Sequence, residues 1–478
     1  MVDQIHMNHI AGKPVAPATG AFLDTINPAT EEPLARFARS VGDDVDAAVQ
    51  AAHRAQHGDW STITPADRGR ILERLAGLIE LEREKLARLE TLDAGKPLDN
   101  SRGDIDGVVE TLRYNAGAAD KMEGITVPLG RDFVDFTMLE PLGVTAHIVP
   151  WNFPLGMAIR SLAPALAAGC TCVLKPAEQS PLSALAFAKL AEQAGIPDGV
   201  VNIVTGLGEE AGEALVRHPL VRGITFTGSV ETGRRIMSTA AQGIKPVVLE
   251  LGGKNPMIIL ADADLDRAVD DALGASFDNT GQVCSSSSRY LLAPEIREDF
   301  IERLCAGAAS LSIGPGLENP SLGPVISSEQ YARVRGHIDA GVAAGGRIRQ
   351  GGGRPQHLDR GYFVEPTVFD RVSPDMAIAR EEVFGPVSVA VDIGDTDQAV
   401  SIANGLGFGL AAGVYTRDIS RALSMAQRLE HGSVWINGWF MGGVQAPTGG
   451  MKESGVGRER GLAGVRNYLA VKNVAIRL

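Results

Sequence analysis

Residues 143–253 read GVTAHIVPWNFPLGMAIRSLAPALAAGCTCVLKPAEQSPLSALAFAKLAEQAGIPDGVVNIVTGLGEEAGEALVRHPLVRGITFTGSVETGRRIMSTAAQGIKPVVLELGG, and this stretch decides the fold. Five short apolar runs, VTAHIV, TCVL, VVNIV, GITF and PVVLEL, alternate with amphipathic segments that begin near Pro154, Pro181, Glu209 and Val230. Strand-like runs alternating with helical ones predict βαβ units and a mostly parallel, doubly wound α/β sheet. Such sheets bind their ligands beyond the carboxyl ends of the strands. The residues expected there are Pro150-Trp151-Asn152-Phe153-Pro154, Lys175-Pro176-Ala177-Glu178, Thr205-Gly206-Leu207-Gly208, Phe226-Thr227-Gly228-Ser229 and Glu250-Leu251-Gly252-Gly253. If the sheet is parallel, one rim holds an amide, an ammonium, two carboxylates and several glycine turns.

Working outward, a second αβ series fills residues 256–434, with strands MIIL, YLLA, VSVAV and AGVY and helices over 264–275 and 296–310; SVWIN follows as the last strand-like piece. Upstream, residues 43–92 and 105–119 carry helical periodicity. Residues 132–139 alternate in polarity and predict an exposed strand or β-arm.

At 478 residues the chain exceeds what one core usually organises, so two large domains are expected, with a single very large α/β unit as the alternative. Apolar residues make up 44% and charged residues 22%, the balance of a soluble globular protein. The formal charge of −13 argues against a nucleic-acid partner, which needs clustered Lys and Arg. The opening MVDQIHMNHIAGKPVAP lacks the continuous apolar core of a secretory signal, and the most apolar stretch, residues 162–174, is too short to span a bilayer. The four cysteines, Cys170, Cys172, Cys284 and Cys305, form neither a disulfide framework nor a metal-site pattern. A reducing, cytoplasmic setting without a bound metal is expected.

Cys284 lies in the small, polar run Asn279-Thr280-Gly281-Gln282-Val283-Cys284-Ser285, between a helix and a strand. A thiol there is a better nucleophile candidate than Cys170 or Cys172 at an apolar junction, or Cys305 on an amphipathic helix. Glu250 closes an apolar strand; it is either a carboxylate hydrogen-bonded at a strand end or, partly desolvated, a general base near neutrality. Asn152, between rigid aromatic and proline neighbours, is either a turn former or an amide held toward a developing oxyanion. Gly206-Leu207-Gly208 with Gly212 has the wrong spacing for a G-x-G-x-x-G fingerprint. Phe226-Thr227-Gly228-Ser229 is stronger, because Ser229 can cap a helix whose N-terminus would accept phosphate.

With these residues in view the sequence resembles the aldehyde dehydrogenase superfamily over nearly its whole length. The motifs are PWNFPL at Pro150, KPAE at Lys175, FTGS at Phe226, ELGGKNP at Glu250, FDNTGQVC at Phe277, EEVFGP at Glu381 and GGMKESGVGRE at Gly449. The resemblance implies a Rossmann-type dinucleotide domain, an α/β catalytic domain and an oligomerisation β-arm. It implies Cys284 as nucleophile, Asn152 and the Cys284 backbone N–H as the oxyanion site, and Glu250 as the base for the deacylating water. Lys175 and Glu178 would hold the adenosine ribose, and Lys175 is placed in the catalytic set as well. Ser229 and Gly208 would lie by the adenosine and pyrophosphate, and Glu382 and Phe384 by the nicotinamide ribose and ring. Pro150, Trp151, Phe226, Gly228, Leu251 and Gly252 complete the cofactor set. Glu178 argues for NAD over NADP, since a carboxylate would repel a 2′-phosphate.

By the same resemblance Phe153, Gly156, Met157, Arg160, Asp278 and Val283 line the substrate tunnel, with Ser285, Trp439, Gly442 and Thr448. Arg160 stands where the succinic semialdehyde branch carries an arginine for the distal carboxylate, but the second arginine of that branch is Asp278 here. Arg160 and Asp278 therefore bind substrate or pair with each other, or Asp278 is a plain surface charge. Small residues at Gly442 and Thr448 should widen the tunnel, which favours a bulky, polar or aromatic aldehyde. The expected domains are 1–122 with 142–252 for NAD, 253–450 for catalysis, and 123–141 with 451–478 as an arm and C-terminal strand joining a neighbour's sheet in a homodimer or homotetramer. The rival readings are an acylating, coenzyme A-dependent enzyme, against which Glu250 speaks, and a catalytically silent binding or scaffold protein.

Overall fold

The structure is a computed structural model that describes residues 4–478. All five apolar runs are strands: Val144–Ile148, Thr171–Lys175, Val201–Ile203, Gly223–Thr227 and Val247–Glu250. They are parallel, with Val144–Ile148 in the middle, Thr171–Lys175 and Val201–Ile203 to one side and Gly223–Thr227 and Val247–Glu250 to the other. The winding direction therefore reverses between Val144–Ile148 and Gly223–Thr227, which is where such sheets open a crevice.

Strand alternation sends side chains to two helical layers. Cys172 and Leu174 face a core with the helices Pro65–Leu81, Leu98–Ala118, Pro154–Ala168 and Leu182–Gln193. Val144, Ala146, Ile148 and Val173 face the other way, toward Gly42–Gln56, Glu213–Arg217 and Val230–Ala241. Pro154 opens its helix at a position where a missing N–H costs nothing, and Gly169, at φ 94°, closes it.

The sheet extends beyond the predicted strands. Asn8–Ile10 and Lys13–Val15 add antiparallel strands at one edge, and Gly455–Val456 pairs antiparallel with Val247–Glu250 at the other. The segment 451–478, expected as the arm's C-terminal strand, thus also pairs elsewhere: Met451–Lys452 with Phe408–Gly409, and Gly455–Val456 in this sheet. Gly455 permits the latter pairing, because a Cβ there would lie 2.3 Å from the Leu249 carbonyl oxygen.

The second sheet runs in the order Arg347–Gln350, Thr367–Asp370, Val387–Asp392, Ser287–Leu292, Asn255–Ile259, Ala411–Tyr415 and Ser433–Ile436, parallel except for the first strand. Arg347–Gln350 and Thr367–Asp370 were not foreseen. The expected helices are present as Leu265–Phe277 and Arg297–Ser310.

Phe133–Pro141 pairs antiparallel with Leu469–Arg477 along its full length. The two segments expected to enter a neighbour's sheet thus form a ribbon with each other in this chain. Phe133, Val134, Met138, Val471 and Ile476 leave apolar surface exposed on it. Among the described residues no helix is long and apolar enough to cross a membrane.

Candidate active site

The helix Leu265–Phe277 breaks into a short turn, Asp278–Gly281, whose residues Asn279, Thr280 and Gly281 have φ of 46°, 58° and 71°. A β-branched residue in the left-handed region is an outlier that its surroundings must enforce. Here Thr280 Oγ1 donates to the Gly323 carbonyl (3.0 Å), Asn279 Nδ2 to the Asn152 carbonyl (3.0 Å), and the Ile326 N–H to Gln282 Oε1 (2.9 Å). Gly281 passes so close to Gly385 that a Cβ would lie 2.2 Å from its carbonyl oxygen. Cys284 follows this clamp. Asn255 Nδ2, at the start of the second sheet, donates to the carbonyls of Cys284 and Ser286, both at 2.8 Å. Asn255 was not singled out in the sequence, although it lies in the motif quoted at Glu250.

Asn152 is buried beyond the end of the central strand, and its Nδ2 donates to the Gln282 carbonyl at 2.8 Å. With the bond from Asn279 this is a reciprocal tie between the Asn152 turn and the cysteine loop. An amide carries two N–H donors, so one remains for a ligand.

Glu250 ends the strand Val247–Glu250 and is buried, with Oε1 unpaired. Burial pushes its carboxyl up to about 8; neighbouring Glu459 adds to the shift, while Arg160 opposes it. Arg160 Nη2 lies 3.6 Å from Glu250 Oε2, and its Nε pairs with Glu459. The suggested Arg160–Asp278 pair is therefore absent: Arg160 is taken by two carboxylates, and Asp278 accepts a bond from Asn100 Nδ2 at 2.6 Å. Asp278 is only half-exposed, so it is not a plain surface charge either. Glu459 was missed, although it closes the motif at Gly449. Gly449 itself crosses the carboxylate, where a Cβ would sit 2.6 Å from Glu250 Oε1.

The Cys284 thiol is pushed up to about 11, first by burial; Arg160 works against this and Glu250 adds to it. Cys170 and Cys172 are fully buried with raised thiol pKa values, as expected of packing residues.

Cys284 and Glu250 share a cavity of about 660 Å³. Phe153, Met157, Arg160, Asp278, Val283 and Ser285 line it, and so do Gly156, Gly442 and Thr448. Trp439 does not. Its indole packs edge-on against Trp435 and donates to the Ser285 carbonyl at 3.0 Å, so it supports the wall from behind while Trp435 and Phe440 face the space.

On the far side of Glu250 lie the strand ends of the first sheet. Lys175 Nζ pairs with Glu178 Oε2 at 2.9 Å, and Lys175 is not among the residues that line the cavity around Cys284. Trp151, after Pro150, meets the Phe384 ring edge-on at 5.3 Å. Glu382 Oε1 accepts from the Gly253 N–H at 3.0 Å, and Gly252 leaves room for it, since a Cβ there would lie 2.2 Å from Glu382 Oε2. Ser229 caps the helix Val230–Ala241 through the Thr232 N–H. Phe226 and Leu251 turn their side chains into the core; the Phe226 ring underlies Gly228, and Leu251 packs on Gly233. Gly208 opens a π-helical turn, Gly208–Gly212, in place of a glycine-fingerprint helix. A carboxylate paired to an ammonium at the rim, a capped helix start and an aromatic pair are a donor set suited to a ribose, a phosphate and a flat ring.

The chain matches the aldehyde dehydrogenase family over residues 15–474. It is 45% identical to hydroxyisobutyraldehyde dehydrogenase of Mycolicibacterium austroafricanum over 472 residues, covering 98% of this chain and 93% of that protein. It is 45% identical to betaine aldehyde dehydrogenase 1 of Oryza sativa subsp. japonica over 468 residues, 96% and 92% of the two chains. The solved NAD+ complex of an aldehyde dehydrogenase from Bacillus cereus superposes with a TM-score of 0.98 at 44% identity, over 99% of this chain and 97% of that one.

Proposed function

Since the chain belongs to the aldehyde dehydrogenase family, we propose that it oxidises a bulky, polar or aromatic aldehyde to its acid with NAD+, through a thioester on Cys284. The observation that carries the reading is the shared cavity: a half-buried thiol and a buried carboxylate of raised pKa face one space, and the Asn152 turn is tied to the thiol's loop.

Cys284, once deprotonated, attacks the carbonyl carbon. The free N–H of Asn152 and the Cys284 backbone N–H hold the resulting oxyanion, a role in which preorganised donors are effective because they need no reorganisation. NAD+, when bound, supplies the acceptor for the hydride that leaves the carbon. Lys175 and Glu178 suit its ribose hydroxyls, and Glu382, Phe384 and Trp151 its nicotinamide end. Glu250 then takes a proton from water, the hydroxide adds to the thioester carbon, and Cys284 leaves as thiolate with release of the acid. A carboxyl near 8 is matched to that task, being basic enough to deprotonate water yet partly ionised near neutrality.

The size of the cavity supports a bulky substrate. Gly103 and Gly107 of the helix Leu98–Ala118 line it with no atom within 4 Å of where a Cβ would sit. Glycine inside a helix costs about 1 kcal/mol relative to alanine, and the gain here is open volume. The apolar surface on the ribbon of Phe133–Pro141 and Leu469–Arg477 supports a homodimer or homotetramer joined there, and four free cysteines fit a cytoplasmic setting.

A panel of aldehydes with NAD+ and no coenzyme A tests the reading. Wild-type protein is expected to form NADH and free acid, with higher kcat/KM for bulky or aromatic aldehydes than for acetaldehyde, and Cys284→Ala to form neither product. Substantial turnover by Cys284→Ala rules out the covalent route, and highest kcat/KM on short aliphatic aldehydes overturns the substrate preference.

A further inference from the structure

Three consecutive charged residues, Arg458, Glu459 and Arg460, share one loop; two of them are matched, and the third reaches the cavity. Arg458 Nη1 donates to the carbonyls of Gly450 (3.0 Å) and Gly457 (2.6 Å). Glu459 pairs with Arg160. Arg460 lines the cavity as an exposed residue, and among the described residues its guanidinium makes no salt bridge and no side-chain hydrogen bond.

The backbone holds Arg460 there at some cost. Its φ of 59° and ψ of 171° lie in a region that essentially only glycine occupies freely. The loop enforces this conformation from both sides. Thr448 and Glu459 exchange backbone hydrogen bonds of 2.9 and 2.8 Å, and the Gly461 N–H donates to the Val444 carbonyl at 2.9 Å. An arginine kept where a glycine would be relaxed, with its side chain on the wall that also carries Cys284, has a reason to be sought in what enters the cavity.

Charge narrows the choice. Arg460 lies within electrostatic reach of Arg160, Cys284, Glu250 and Glu459. Arg160 is already balanced by two carboxylates, so Arg460 is the surplus positive charge near the thiol. The other acidic residues that line the cavity, Asp104, Glu110 and Asp278, are not among the groups that act on Arg460. Asp104 pairs with Lys96, Asp278 accepts from Asn100, and Glu110 lines the cavity as an exposed carboxylate on the helix Leu98–Ala118. A planar guanidinium presents paired N–H donors that fit a carboxylate better than any neutral group.

We propose that Arg460 docks a carboxylate on the substrate, so that the enzyme's preferred aldehydes carry an anionic end away from the reacting carbonyl. This rests on the reading of Cys284 as the residue that attacks that carbonyl.

The test compares unbranched ω-carboxylate aldehydes of four to eight carbons with their methyl esters, using the full chain with NAD+. In wild type, kcat/KM for at least one acid is expected to exceed that of its ester by about tenfold or more. Arg460→Met should cut the acid-to-ester ratio at least tenfold, mainly through KM for the acid, and Arg460→Lys should keep part of it. Arg460→Gly relieves the backbone, so it should raise Tm while losing the same preference, which separates docking from folding. Saturated dicarboxylates of matching length should raise the Tm of free wild-type protein and not that of Arg460→Met. Equal kcat/KM for acids and esters in wild type, or an acid preference that survives Arg460→Met and Arg460→Gly, overturns the docking role. Failure of wild type to oxidise either series, with no thioester formed, overturns the reading of Cys284 itself.

Discussion

Arg160 Nη2 stands 3.6 Å from Glu250 Oε2, while the Nε of the same guanidinium closes on Glu459. One largely buried cation is thus shared by two buried carboxylates, and the proposed base is the more weakly held of the two. Glu459 pushes the Glu250 carboxyl up and Arg160 pulls it down, around a net value of about 8.

The consequence is a pH profile that the neighbours set. Glu250 acts deprotonated, so thioester hydrolysis should rise as pH increases through about 8 and level off above it. Glu459→Gln removes a like charge and should move the midpoint down, giving more activity at pH 7. Arg160→Met removes the cation and should move it up. Rates of acid release in single-turnover experiments, measured from pH 6 to 10, check both shifts. A midpoint that stays put in Glu459→Gln would show that the two carboxylates are not coupled.

Burial sets the reactivity of the thiol in the free protein. With Cys284 pushed up to about 11, the thiolate fraction should grow about tenfold per pH unit between 7 and 10. Inactivation by iodoacetamide without NAD+ should follow that slope, with label on Cys284. A rate that reaches its plateau near pH 8 would mean the thiol is already activated by the protein alone.

Much of this was legible in sequence because it depends on local pattern. The five strands of the first sheet are apolar runs bounded by proline and glycine, so their ends, and hence Asn152, Lys175 and Glu250, could be placed on one rim. The cysteine loop was recognisable from its small polar residues. What escaped depends on distant partners or on loops without periodicity. Arg347–Gln350 is a polar edge strand, so it has no apolar run to show. Glu459 reads as one charge among several until the fold brings it to Arg160. Trp439 sits in an irregular loop, where no repeat tells whether an indole faces a cavity or backs its wall. Asn255 looks like a polar residue trailing a glycine pair, yet it spans two carbonyls of the cysteine loop.

Asn152→Ala removes both a donor to the oxyanion and the bond to the Gln282 carbonyl. Loss of an oxyanion donor costs roughly 10²–10³-fold in turnover. The fall should appear in the formation of the thioester, seen as loss of the burst of NADH, with the alkylation rate of Cys284 changed far less. If alkylation slows as much as turnover, the amide acts by holding the loop and not by binding the oxyanion.

Glu178 should decide between the two nicotinamide dinucleotides. Its carboxylate is held 2.9 Å from Lys175 Nζ, so it presents negative charge where a ribose diol would dock. A 2′-phosphate at about 4 Å would be repelled by about 1 kcal/mol per unit pair in water and about 4 kcal/mol at an effective dielectric near 20. Because the Glu178 side chain is 32% exposed, the lower half of that range applies, which still means a preference for NAD+ of roughly fivefold or more. Glu178→Gln keeps the shape, removes the repulsion and leaves the Lys175 ammonium free to meet the phosphate. The ratio of kcat/KM for NAD+ to that for NADP+ should therefore fall by about tenfold or more, mostly through a lower KM for NADP+. Equal use of both dinucleotides by wild type, or a ratio unmoved in Glu178→Gln, would place the ribose away from this pair.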